Sequence, residues 1–105
     1  MKLSWEILAD ELIGLKVEIV DSTDKGRIGI KGRVVDETMK MLVIETERGI
    51  KKVPKAECVF LFDYRGKKVK VDGRLLVARP EDRIKRAFHL KRKWRIPKFF
   101  FKRKI

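Results

Sequence analysis

The sequence predicts a mostly β protein: a small antiparallel barrel of about six or seven strands, with a short N-terminal helix and a basic C-terminal helix and tail. Apolar and polar residues alternate in short segments between residues 15 and 79, and turn sequences separate those segments at short intervals. The 105 residues suffice for one modest core. We therefore predict one domain overall, with an N-terminal helix at 1–14, a barrel at 15–79 and a basic helix and tail at 80–105.

The N-terminal segment has the spacing of an amphipathic helix, which we predict over residues 4–13. Ser4 suits the N-cap, where a hydroxyl accepts a hydrogen bond from a free backbone N–H, and Gly14 suits the position after the helix end. Three apolar side chains share one face: Trp5, Leu8 and Leu12. That face either packs on the barrel or binds a protein partner.

Strand-like segments follow, among them LKVEIV, IGIKGRVV, MLVIETE, ECVFLF and KKVKV. Asp72-Gly73 lies between VKV and RLLV, and this dipeptide favours a tight hairpin turn. We therefore predict a hairpin there, with a further strand over RLLVAR.

The stretch GRIGIKGRVV contains Gly26, Gly29 and Gly32, which raises the alternative of a phosphate-binding loop. Such a loop follows a strand and opens a helix, whose N-terminus holds the phosphate. Here the strand pattern continues through the glycines, and no helical spacing follows. We interpret Gly29 and Gly32 as the kink that bends a long strand across a small barrel.

The C-terminal segment returns to helical spacing over residues 80–95. Pro80 suits the first helical position. Acidic residues lie near the helix start and cations follow, which complements the helix dipole. Ile84, Ala87 and Phe88 form a narrow apolar stripe.

Positive charge is concentrated at the C-terminus. The chain has 28 Lys and Arg against 15 Asp and Glu, a formal net charge of +13. The last 23 residues hold 11 of the cations and no acidic residue, so the first 82 residues have 17 cations and a net charge of only +2. Aromatic residues are interleaved with the C-terminal cations. Cations bind phosphates and rings stack on unpaired bases, which favours RNA, although a solvated tail or a membrane-surface segment has a similar composition.

Two sets of basic residues are candidates for RNA contact. On the barrel, outward-facing cations could bind phosphates without reading sequence: Lys31, Arg33, Lys51, Lys52 and Arg74. On the C-terminal segment the candidates are Arg83, Arg86, Lys91, Arg92, Lys93 and Arg95. The alternative is a charged thermophile surface, because Glu45 and Glu47 offset the barrel cations and the chain contains no Asn or Gln.

The sequence shows none of the usual catalytic sets. His89, the only histidine, has no carboxylate near it, and Cys58, the only cysteine, lies in an apolar segment. Asp36 and Glu37 are adjacent, so in a strand they point to opposite faces and do not converge on a metal ion. We therefore predict no catalytic residue, no metal site and no enzymatic activity of the isolated chain.

Apolar runs in this sequence fall short of the ~20 residues of a membrane span. The N-terminus is acidic and amphipathic, unlike a signal peptide, and one cysteine rules out an internal disulfide. We expect an intracellular, cytoplasmic protein with no membrane partner.

Four short motifs occur in a fixed order: GIKGRVVDET (29–38), LVIET (42–46), VPK (53–55) and VFLF (59–62). Leu-Ile-Gly precedes LKVEIV, and Arg-Pro-Glu-Asp-Arg stands at 79–83. In this order the motifs resemble the archaeal ribonuclease P protein component 1 family, which is related to the eukaryotic Pop-type subunit. The resemblance covers roughly residues 8–90.

The resemblance implies an Sm-like or SH3-like barrel in a non-catalytic, RNA-binding subunit of archaeal ribonuclease P. That ribonucleoprotein removes 5′ leaders from precursor tRNA, and its RNA subunit performs the metal-assisted hydrolysis. The implied partners are the ribonuclease P RNA, a zinc-ribbon protein subunit and, through the holoenzyme, precursor tRNA. The isolated chain is expected to be a monomer without a bound cofactor, and magnesium is expected on the RNA subunit.

The resemblance also implies that the zinc-ribbon subunit binds the terminal helices and adjacent strands. The candidate partner-binding residues are Trp5, Leu8, Leu12, Ile84 and Phe88. Two other functions stay open at this point. One is an SH3-like or Sm-like RNA-binding protein of another ribonucleoprotein such as the ribosome, and the other is a protein–protein adaptor.

Overall fold

The structure, a computed structural model, describes the backbone of residues 5–85 and the side chains of residues 6–85. Six strands follow one another: β1 (Lys16–Ser22), β2 (Lys31–Glu37), β3 (Met41–Thr46), β4 (Gly49–Pro54), β5 (Cys58–Tyr64) and β6 (Lys67–Asp72). They form one antiparallel sheet in the order β4-β3-β2-β1-β5-β6. The predicted mostly β, antiparallel fold is therefore confirmed.

The sheet surrounds its core without closing into a barrel. β4 and β6 are its two edges, and within residues 5–85 they are not paired with each other. Both edges still contribute to one core, since Val53 of β4 and Val71 of β6 are buried. Register shifts at Val34/Asp36 in β2 and Ile19/Asp21 in β1 mark bulges, which bend strands locally. The predicted barrel is thus an open six-stranded sheet around a single core.

Alternating sequence positions build the core, as strand geometry requires. β5 shows this most clearly, because every second residue from Cys58 to Tyr64 is buried. The rings of Phe60 and Phe62 lie at its centre, with 5.8 Å between their centroids. Leu8, Leu15 and Ile30 pack against the edge of this core.

The N-terminal helix is shorter than predicted. Helix α1 covers only Trp5–Leu8, and the predicted N-cap at Ser4 lies outside the described residues. A helix over 4–13 would use the carbonyl of Leu8 to accept from the N–H four residues later. Instead, the carbonyls of Leu8 and Asp10 accept hydrogen bonds from the Arg83 guanidinium, each at 2.8 Å. A distant side chain has therefore replaced the helical hydrogen bonds.

The predicted hairpin at Asp72-Gly73 is wrong, and no seventh strand follows within the described residues. Gly73–Leu76 forms a 3-10 turn instead, and the Asp72 carboxylate caps it by accepting from the Arg74 N–H at 3.0 Å. A Cβ on Gly73 would lie 1.8 Å from the carbonyl oxygen of Lys55. Gly73 is therefore required for close backbone packing and not for a hairpin turn.

Gly29 and Gly32 do not kink one long strand, which corrects the prediction for them, and the chain continues into strand β2 instead of a helix. Gly29 has a φ of +94°, in the left-handed region, and leads into β2, which begins later than predicted at Lys31. A Cβ on Gly32 would lie 1.9 Å from the carbonyl oxygen of Glu45, so this glycine lets β2 and β3 approach closely.

Residues 80–85 are helical, and the rest of the helix predicted over 80–95 lies outside the described residues. Among the described helices, none has the length and apolar character needed to span a membrane.

Candidate nucleic-acid and partner interface

An open groove crosses the sheet and is lined by charged side chains of all six strands and the β3–β4 turn. We call it the basic groove. Its cations are Lys16, Lys31, Arg33, Arg48, Lys51 and Lys68. Its carboxylates are Glu18, Glu45, Glu47 and Asp63. Six cations against four carboxylates give the lining a small positive excess.

The strand register sets which charges are neighbours in the basic groove. Arg33 of β2 lies opposite Lys16 of β1 and Glu45 of β3, and Lys31 lies opposite Glu18. Two lining cations are engaged: Lys68 pairs with Asp63, and Arg33 donates to the Gly14 carbonyl at 2.6 Å. The four others are exposed and have no ion pair within residues 5–85: Lys16, Lys31, Arg48 and Lys51. These four are available to an external anion.

The structure brings together only part of the predicted barrel set. Lys31, Arg33 and Lys51 line the basic groove, and Lys52 is exposed outside its lining. Arg74 is exposed and pairs with Asp72 at 2.6 Å. The C-terminal candidates beyond residue 85 lie outside the described residues: Arg86, Lys91, Arg92, Lys93 and Arg95. Sequence reasoning missed Lys16, Arg48 and Lys68, which join the lining through strand register and the β3–β4 turn.

A cluster of three buried charged side chains lies at the end of β2, and we call it the buried cluster. Its members are Glu37, Lys55 and Arg83, with 6%, 0% and 1% of their surface exposed. The Lys55 ammonium donates to one Glu37 oxygen at 2.7 Å. The Arg83 guanidinium donates to both Glu37 oxygens, at 3.0 and 3.1 Å. A single carboxylate therefore holds two buried cations.

Backbone carbonyls stabilise the excess positive charge of the buried cluster. Lys55 Nζ also donates to the carbonyls of Thr38 and Leu76, at 2.7 and 2.9 Å, and makes longer bonds to those of Met39 and Ala78. Among the described residues, no buried side-chain polar atom lacks a hydrogen-bond partner. Burial lowers the pKa of Lys55, and the hydrogen bond to Glu37 opposes that shift.

Arg83 joins the two ends of the described chain and is not available to RNA, which corrects the prediction that it contacts phosphate. Its Nη1 donates to the carbonyls of Leu8 and Asp10, while its other nitrogens bind Glu37. The helical segment 80–85 and the turn after α1 are therefore fastened to the same carboxylate. A guanidinium with five donors in a fixed plane can make such a set of bonds, which a lysine cannot.

The predicted partner-binding residues occupy different environments. Leu12 is fully buried in the core, so the prediction that it binds a partner is wrong. Leu8 and Ile84 are half-buried and remain candidates. The side chain of Trp5 and all of Phe88 lie outside what the structure describes.

Tyr64, the only tyrosine of the chain, holds the N-terminal turn against the sheet. Its hydroxyl donates to Asp10 Oδ2 at 2.8 Å. Burial, with the neighbouring Asp10 carboxylate, raises the pKa of Tyr64 to about 12 from 10.0, and the same hydrogen bond lowers the pKa of Asp10. The folded phenol keeps its proton more tightly than the unfolded one. Its stabilising contribution is therefore complete below pH 10 and is lost as the pH rises through about 12.

The described residues offer no grouping of three or more His, Cys, Asp and Glu that could hold a metal ion. Cys58 is buried, its thiol lies 3.7 Å from the Ser22 hydroxyl, and burial raises its pKa. A thiol with a raised pKa is a poor nucleophile at neutral pH.

Comparison with known proteins gives a consistent result. The family model for Ribonuclease P/MRP, subunit p29 matches residues 5–86. A protein named ribonuclease P protein component 1 from Methanocaldococcus jannaschii is 63% identical over 81 residues, which cover 76% of this chain and 85% of that relative. The protein of the same name from Methanococcus vannielii is 54% identical over 91 residues, which cover 82% of this chain and 92% of that relative.

A solved structure is also similar. It is described as Mth11, a homologue of the human RNase P protein Rpp29, and shares 52% sequence identity with this chain at a TM-score of 0.53. The match covers 71% of this chain and 99% of that chain. The chain belongs to the ribonuclease P/MRP subunit p29 family.

Proposed function

We propose that this chain is a non-catalytic, RNA-binding protein subunit of archaeal ribonuclease P. The observation that supports this most is the family match over residues 5–86, together with archaeal relatives that are named ribonuclease P protein component 1. In this proposal the ribonuclease P RNA binds the substrate and performs the hydrolysis with magnesium. This chain meets precursor tRNA only through the assembled holoenzyme.

The proposed contribution of the protein is electrostatic. Folding a large RNA brings phosphates together, and their repulsion must be offset by metal ions or by protein cations. Two parts of this chain provide such cations. The exposed, unpaired lysines and arginine of the basic groove form one part, and residues 91–105, with eight cations, form the other.

The proposed protein partner is a zinc-ribbon subunit, bound at the terminal segments. Leu8 and Ile84 are half-buried there, and Ile13 and Val35 are 44% and 38% exposed. The Gly14 N–H donates to the Val34 carbonyl at 2.8 Å, which brings the segment after α1 beside β2. Apolar side chains exposed on adjoining segments are typical of a surface that a partner covers. We propose that the unassembled chain is a cytoplasmic monomer that binds no membrane.

Deleting residues 91–105 should weaken RNA binding and flatten its salt dependence. Each phosphate contact contributes about 0.7–0.9 to the slope of log K against log salt, so losing several of the eight cations should reduce that slope by several units. The measurement is a fluorescence-anisotropy titration of ribonuclease P RNA across salt concentrations.

The matched control replaces Phe99, Phe100 and Phe101 with alanine, which keeps every charge. That variant should retain the salt slope of the full chain. An unchanged slope after the deletion would contradict a role for the tail in phosphate binding. A full-length protein that shows no RNA affinity but still binds the protein partner would favour the adaptor alternative.

A further inference from the structure

The lining of the basic groove contains no aromatic side chain among the described residues. Phe60, Phe62 and Tyr64 all face the core, with exposures of 0%, 0% and 5%. Proteins hold unpaired bases mainly by stacking them on exposed rings or on free guanidinium planes. Of the two lining arginines, Arg33 already donates to a backbone carbonyl, so only Arg48 offers a free guanidinium plane. The basic groove is therefore poorly suited to unpaired bases.

The available cations of the basic groove are spread across the sheet and do not follow one line. Lys16 lies on β1, Lys31 on β2 and Lys51 on β4, and Arg48 lies in the turn that precedes β4. Because neighbouring strands are about 4.8 Å apart, the three steps along the sheet from β1 to β4 span about 14 Å. A single strand of RNA presents one row of phosphates, whereas a double helix presents two. The width of the cation distribution fits the two phosphate rows of a double helix.

Carboxylates lie beside cations of the groove lining. Glu18 is opposite Lys31, and Glu45 is opposite Arg33. A carboxylate repels phosphate, but it accepts a hydrogen bond from a hydroxyl group. The minor groove of an A-form RNA helix is wide and shallow and exposes 2′-hydroxyls between its phosphates, which DNA lacks. The arrangement of donors and acceptors thus matches the ribose side of an RNA duplex.

We infer that the basic groove binds double-helical RNA through its phosphates and 2′-hydroxyls and does not bind unpaired bases. This inference rests on the proposed RNA-binding function and specifies the form of RNA that this surface takes. It leaves the C-terminal segment as the part of the chain that can bind single strands.

The test compares three probes of equal length on the full-length protein: an RNA duplex, a single-stranded RNA and a DNA duplex of the same sequence. The groove variant is Lys31→Ala/Lys51→Ala. The control variant is Lys67→Ala/Lys70→Ala, which removes two exposed lysines of β6 outside the groove lining and gives the same net charge. The groove variant should lose about two units of salt slope on the RNA duplex, about one per phosphate contact, and should bind single-stranded RNA unchanged.

The Glu45→Ala variant distinguishes a hydrogen bond to a 2′-hydroxyl from simple repulsion between the carboxylate and phosphate. If Glu45 accepts a hydrogen bond from a 2′-hydroxyl, this variant should bind the RNA duplex more weakly and the DNA duplex more tightly. If the Glu45 carboxylate acts only through its charge, its removal should strengthen the binding of both duplexes. That result would overturn the proposed hydroxyl contact.

Equal weakening of duplex and single-stranded RNA by the groove variant, or equal effects of the groove and control variants, would overturn the inference while leaving RNA binding established. A full-length protein that binds none of the RNA probes would instead contradict the proposed function.

Discussion

Replacing Glu37 with alanine should destabilise the fold by about 3–5 kcal/mol, because it leaves two buried cations without their carboxylate. Lys55 and Arg83 are almost fully buried, and both depend on Glu37 as their only acidic partner among the described residues. Denaturant unfolding monitored by circular dichroism measures the change in the free energy of unfolding.

Two further variants show whether the loss of stability comes from the buried charge of Glu37. Glu37→Gln keeps the side-chain volume and removes only the charge, so a large loss in this variant assigns the effect to electrostatics and not to a cavity. Glu47→Ala removes an exposed carboxylate from the β3–β4 turn and should change the free energy of unfolding by less than about 0.5 kcal/mol. Losses below about 1 kcal/mol in both Glu37 variants would contradict a stabilising role for the buried cluster.

Replacing Arg83 with methionine should release the terminal segments from the sheet while the Glu37–Lys55 pair stays intact. The side chain keeps most of its apolar length but loses its bonds to the Leu8 and Asp10 carbonyls. The turn that contains Asp10 would then leave Tyr64, and the pKa of Tyr64 should fall from about 12 toward 10. Ultraviolet absorbance of the tyrosinate measures this directly, because the chain contains one tyrosine.

A second readout connects this detachment to assembly. If the terminal segments form the partner surface, Arg83→Met should weaken binding of the zinc-ribbon subunit, measured by calorimetry. Lys85→Met is the control, since Lys85 is exposed on the same helical segment. A Tyr64 titration and a partner affinity that both match the unchanged protein would show that Arg83 does not position the terminal segments.

Local patterns predicted the parts of the fold that depend on local geometry. Every second residue of β5 is apolar and buried, so alternation alone identifies this strand and its inward face. The helix predicted over 4–13 failed because Arg83, more than 70 residues away, binds the carbonyls that would continue it. The hairpin predicted at Gly73 failed because that glycine packs against Lys55. Residue alternation does not encode how far the strands curve, so it could not predict that the sheet stays open.

For the candidate site as well, local patterns predicted some residues, whereas residues placed by tertiary contacts were missed or misassigned. Outward positions in β2 and β4 identified Lys31 and Lys51, whereas Lys16 required the β1–β2 register. Arg83 was assigned to RNA because it opens an acid-poor segment, and nothing in its immediate sequence shows that it turns inward. Its carboxylate partner is 46 residues earlier in the chain. Tertiary contacts of this kind decide whether a cation is structural or available.

The most direct measurement is a reconstitution of precursor-tRNA cleavage. An archaeal ribonuclease P RNA is assayed across magnesium concentrations alone, with this protein, and with this protein and the zinc-ribbon subunit. Protein cations that replace metal ions on the RNA should allow cleavage at lower magnesium concentrations when both proteins are present. A magnesium dependence that is the same with and without the protein pair would contradict the assignment of this chain as a ribonuclease P subunit.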